Sequence, residues 1–104
     1  MEKEYALAEL RPFLDGEGRL TALPAKHRKK LAALWHLAGK IEAGRQYTEP
    51  EINDLLDEWA LFRDHATLRR ELYNKRLLDR TADCGRYWRA EQLPVLTEFI
   101  QWYI

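Results

Sequence analysis

Cys84 and the three histidines, His27, His36 and His65, are the side chains best suited to covalent or metal chemistry in this 104-residue chain. Cys84 stands next to Gly85 and between Arg80 and Arg86, and neighbouring guanidinium groups favour a thiolate. No general base adjoins it in sequence, so a passive thiol in a turn is expected rather than a nucleophile. His27 and His36 fall on opposite sides of one expected helix, and His65 lies on another. No Cys-x-x-Cys or His-Glu-x-x-His spacing accompanies them, so neither a metal nor a cofactor is expected. The carboxylates belong to helix caps and outer faces. The residues therefore speak against an enzyme.

A different chemistry, recognition of phosphates and base edges, is open to the arginines. The chain is neutral overall, with 17 Lys+Arg against 17 Asp+Glu, but its charge is blocked. Residues 26–45 carry six basic and one acidic side chain, 46–62 carry five acids and no base, and 63–89 carry eight basic and four acidic side chains. Such blocks give a folded chain one basic and one acidic face. Thr67, Arg69, Arg70, Tyr73 and Asn74 are expected groove or backbone contacts, because Arg, Asn and Thr can hydrogen-bond base edges. Lys75, Arg76, Arg80, Arg86 and Arg89 are expected phosphate contacts, diluted by Asp64, Glu71, Asp79 and Asp83.

These residues need elements to hold them. Leu7, Leu10 and Leu14 recur at helical spacing over about Glu4–Phe13, and Asp15-Gly16-Glu17-Gly18 stops that helix. A long amphipathic helix is predicted from Pro24 to about Gly44, with Leu31, Leu34, Trp35, Ala38 and Ile41 on its stripe. Lys26, Arg28, Lys29 and Lys30 in its first turns oppose the macrodipole and read as a solvated face. Arg45–Thr48 reads as a short extended link. Thr48-Glu49-Pro50-Glu51 is a capping box opening a helix that buries Ile52, Leu55, Leu56 and Trp59. Asp64 caps a third helix, His65 to Leu77, buried through Leu68 and Leu72. Counted at about 100° per residue, Thr67, Arg70, Tyr73 and Asn74 point away from that stripe, with Arg69 on the flank. Leu77 to Arg80, a turn over Thr81–Gly85, and Arg86 to Arg89 read as a hairpin anchored by Leu78 and by Tyr87 or Trp88.

Three helices followed at once by a hairpin is the order of a winged helix, whose third helix reads the groove. The fold expected is mainly α with a small β-hairpin, a winged helix-turn-helix-like domain with added N- and C-terminal helices. It forms one domain: helix and turn over 1–23, helices and wing over 24–89, and an apolar helix over 90–104. The run from about Leu10 to Arg89 also resembles a bacterial domain of unknown function that occurs alone or fused behind ArsR-type transcriptional regulators. The resemblance rests on Leu23-Pro24-Ala25-Lys26, on Arg45 through Asn53, on Asp64 through Arg70, and on Leu78-Asp79-Arg80 followed by Tyr87-Trp88. It implies a winged-helix-like fold and a link to gene regulation. One departure is Arg76, where that domain usually has a glycine, so Arg76 must take a left-handed conformation or the helix must end differently.

In the tail, Leu93, Leu96, Phe99, Ile100 and Tyr103 share a stripe that Val95, Trp102 and Ile104 widen. Two readings stand: the tail packs back within the chain, or it pairs two chains as a homodimer. The partner expected is double-stranded DNA, or alternatively a protein of the transcription machinery. A third reading is a ligand-sensing pocket lined by Trp35, Trp59 and Tyr87. The longest uncharged run, Leu31 to Gly39, is too short for a membrane span. No basic-then-apolar leader opens the chain and a single cysteine allows no internal disulfide, so the expected location is the cytoplasm.

Overall fold

The computed structural model describes residues 8–103. The protein is mainly helical with one two-stranded antiparallel hairpin, an arrangement compatible with a winged helix. The order is a 3-10 turn (Arg11–Phe13), α1 (His27–Ala38), α2 (Glu49–Trp59), α3 (His65–Asn74), β1 (Leu78–Arg80), β2 (Tyr87–Arg89) and α4 (Leu96–Tyr103). The expected first helix begins at Glu4, and that start, with Leu7, lies outside the described residues. Residues 8–10 are helical and Arg11–Phe13 tightens to 3-10, with Pro12 in its first positions.

Where the sequence supplies a cap, the helix starts as expected. Thr48 and Glu51 form the reciprocal capping box of α2, with the Thr48 N–H donating to Glu51 Oε1 at 2.8 Å. The Asp64 carboxylate accepts from the Thr67 N–H and opens α3. Helix α1 is shorter than expected at both ends. It begins after Lys26 without a side-chain cap and stops at Ala38, not near Gly44. The next bonds are the tighter Lys40 N–H to Leu37 O and Ile41 N–H to Ala38 O, so Ile41 is buried without being helical. Gly44 instead takes φ 78° in the turn beyond.

Helix α3 also ends early, at Asn74 rather than Leu77. Arg76 adopts φ 61°, its N–H donates to Tyr73 O, and the Leu77 N–H donates to Leu72 O. That pair is a Schellman closure with arginine in the place glycine favours. It turns the chain directly into β1, whose register against β2 is Leu78 to Arg89, Asp79 to Trp88 and Arg80 to Tyr87. The link before α2 joins the same sheet: Tyr47 and Tyr87 exchange N–H to O bonds of 2.7 and 2.8 Å.

One core unites these pieces. Leu31, Leu34 and Leu37 of α1, Ile52 and Leu56 of α2, Leu68 and Leu72 of α3, Leu78 and Tyr87 of the hairpin, and Leu96, Phe99 and Ile100 of α4 are all buried. The tail packs back on α1 within the same chain: the Trp35 indole N–H donates to Pro94 O at 2.8 Å, and the Tyr103 hydroxyl donates to Lys75 O at 3.1 Å. Leu93 and Tyr103 are half-buried beside that core, whereas Val95 and Trp102 stay exposed. Ile104 lies outside the described residues.

Candidate nucleic-acid interface

The buried pair Leu68 and Leu72 fixes the rotation of α3, which leaves Ala66, Arg70, Tyr73 and Asn74 on its open side and Thr67 half-buried near the cap. The ten expected contact residues do not share one state. Among the described residues, the guanidinium groups of Arg70 and Arg76 have no partner, and both side chains are exposed. Arg86 is exposed at the hairpin turn, where its guanidinium donates to Gly85 O and its backbone N–H to the Thr81 hydroxyl. Arg80 stacks over the Tyr73 ring at 4.5 Å and donates to Thr81 O, joining hairpin to helix.

Three others are turned inward. Arg69 donates to Asn53 Oδ1, lies 3.3 Å from a Glu49 oxygen and sits over the Tyr87 ring, so it ties α3 to α2. Arg89 gives its donors to the carbonyls of Ala90, Ile41 and Glu91. Lys75 pairs with Glu71 at 3.7 Å and packs against Tyr103. The turned-in set has a measurable signature. Arg69→Ala is expected to lower stability by about 1–2 kcal/mol, since charge-assisted hydrogen bonds carry roughly that much, while Arg70→Ala should stay within about 0.5 kcal/mol. Urea unfolding of the two variants checks this, and equal stabilities would show the Arg69 tie to be inconsequential.

Three hollows flank the end of α3, one of them, about 780 Å³, against α4. A cleft of about 280 Å³ on one side is lined by Arg70, Tyr73, Arg80, Cys84 and the buried Tyr87. An open groove of about 890 Å³ on the other runs between Arg76, the hairpin and Gly44, with Trp88 in its wall. The sequence allows either Tyr87 or Trp88 to anchor the hairpin. Tyr87 is the anchor at 2% exposure, and strand alternation sends Trp88 to the other face. Cys84, at φ 60°, is half-buried against the core rather than on the surface. Burial, with a hydrogen bond from the Tyr87 hydroxyl to Cys84, raises the pKa of Tyr87. The proposed trio of Trp35, Trp59 and Tyr87 does not meet in one pocket: Trp35 binds Pro94 O, Trp59 carries Lys40 over its ring, and Tyr87 faces Tyr47.

The histidines are apart. The rings of His27, His36 and His65 contact Tyr103 O, Gly18 O and the Asp57 carboxylate respectively, and no metal-holding cluster exists among the described residues. Burial lowers the pKa of His36 below its ordinary 6.5. The unfolded chain then binds the proton first, so this residue's contribution to stability is lost as pH falls below about 6.5. His36→Gln should flatten the fall in Tm between about pH 7 and pH 5; an identical fall in both proteins would assign the pH dependence elsewhere.

A family model described as an uncharacterized protein conserved in bacteria, DUF2087, matches residues 19–89. The chain belongs to this family. No curated protein and no solved structure matches it. The DUF2087 region holds α1, α2, α3 and both strands, hence every one of the ten expected contact residues. It stops before α4, which completes the core from outside the matched segment. Among the described residues, no helix is long and apolar enough to cross a membrane.

Proposed function

We propose that this bacterial domain is a small DNA-binding or transcription-associated regulator of the winged-helix kind, with the open face of α3 and the hairpin turn meeting the phosphate backbone. The observation that carries the reading is the pair of partnerless guanidinium groups, Arg70 and Arg76, on α3 and at its end, beside Arg80 and Arg86 of the hairpin. Uncommitted arginines next to a groove-sized helix suit phosphate contact, and Asn74 and Thr67 add base-edge chemistry. The resemblance to domains fused behind ArsR-type regulators supports the same direction.

Anisotropy of a labelled duplex DNA across a salt series, with an RNA duplex beside it, tests the proposal. Binding that weakens steeply with salt supports a phosphate-contacting face. No binding at low salt removes it. The alternative is a protein-interaction module without nucleic-acid contact. Trp102 at 63% exposure and Val95 at 55% favour a docking surface on α4, for a transcription protein or a second copy. Gel filtration and light scattering read the homodimer form of that alternative directly.

A further inference from the structure

The groove beside the end of α3 shares Tyr73, Asn74 and Arg76 with the proposed nucleic-acid face and adds Trp88, Asp79 and Glu91 to them. It is lined by Trp88, by Tyr73, whose ring also carries Arg80, by Arg76 and Asn74, and by Glu91 and Asp79, one of whose oxygens accepts from the Arg80 N–H. Trp88 is half-buried and, among the described residues, its indole N–H has no partner; the same holds for the Asn74 amide and the Arg76 guanidinium. Arg89, by contrast, gives three of its five N–H donors to carbonyls and serves as wall. Arg76 holds a left-handed backbone at φ 61°, a conformation unfavourable to any side chain, while its guanidinium has no hydrogen bond or ion pair among the described residues. At about 890 Å³ the groove lies within the range of small-molecule sites, roughly 300–1,000 Å³.

We propose that this groove binds a small planar ligand bearing one anionic group and ring or amino N–H donors. The aromatic walls take the ring, Arg76 takes the anion, and Asp79 and Glu91 accept from the donors. A ligand carrying only negative charge fits less well, since Asp79 and Glu91 stand in the same groove as Arg76. Two sources share this chemistry: nucleoside monophosphates with an exocyclic amine, and aromatic amino acids. Arg76 also borders the proposed nucleic-acid face, so ligand and nucleic acid become competitors for one guanidinium.

Isothermal titration calorimetry on the full chain, with AMP, GMP and CMP in one arm and tryptophan, tyrosine and phenylalanine in the other, separates the two sources. At least one arm is expected to bind, and Arg76→Gly is expected to weaken that binding at least tenfold. Glycine takes the left-handed conformation without strain, so this variant should melt at a higher temperature than the parent, and lost binding cannot be blamed on lost folding. No heat from any of the six compounds at millimolar concentration overturns the proposal, as does undiminished binding by Arg76→Gly. Because no DNA is present in this titration, failure of the duplex reading leaves its result intact.

Discussion

A chain ended at Gln92 is expected to lose its cooperative unfolding transition. The deletion removes Leu96, Phe99 and Ile100, which are 4%, 0% and 8% exposed and close the core over α1. Truncating a buried Phe to Ala alone costs about 3–5 kcal/mol, against a total stability of roughly 5–15 kcal/mol for a domain. Losing all three apolar side chains, together with the Pro94 carbonyl that accepts from Trp35, exceeds what a domain of this size can absorb. Circular dichroism melts with dye binding give the measurement: retained helix, a broad transition and exposed apolar surface are expected. A sharp melt within a few degrees of the parent would show α4 to be an appendage. A sharp melt with a halved mass would assign it to pairing between chains.

Reversing Arg70 and Arg86 together to glutamate should weaken binding to duplex DNA by at least about 100-fold at low salt, roughly tenfold for each lost phosphate contact, and should reduce the slope of log affinity against log salt by about two. Both side chains are exposed and outside the core, so the melting temperature should scarcely move. This pairing of unchanged folding with lost binding separates contact residues from ties such as Arg69, whose loss acts on both. Undiminished affinity in the double variant would remove the α3 and hairpin face from the interface, whatever the wild-type protein binds.

The local signals are legible in the sequence because they are complete within a few residues. Thr48 with Glu51 and Asp64 with the Thr67 N–H are each a side chain meeting an amide three positions away, and each set a helix start. The hairpin was legible for the same reason, its turn being held by Thr81 bonding to Gly85 and Arg86. The end of α1 was not. Ile41 continues the apolar stripe, so periodicity extends the helix through it, whereas the backbone delivers Ile41 to the core by turn bonds after Ala38. In the candidate site, Arg69 and Arg70 are adjacent and alike in type. Which one is free depends on where Glu49 and Asn53 of α2 come to rest, and that is a property of helix packing. Trp88 and Tyr87 pose the same problem: alternation says they face opposite sides, and only the packed sheet says which side is inside.

The exchange of bonds between Tyr47 and Tyr87 makes the link before α2 a third strand in all but length. It closes a loop containing both α2 and α3, and the entropy of that closure is recovered only when the intervening helices are packed. The two amides should therefore behave as one unit toward deuterated solvent, exchanging together and as slowly as the most protected amides of the core. A fast Tyr47 amide beside a slow Tyr87 would show that the hairpin holds its place without this link. With both slow, the hairpin cannot swing away from α3 on its own, and any motion that opens the nucleic-acid face must carry the start of α2 with it.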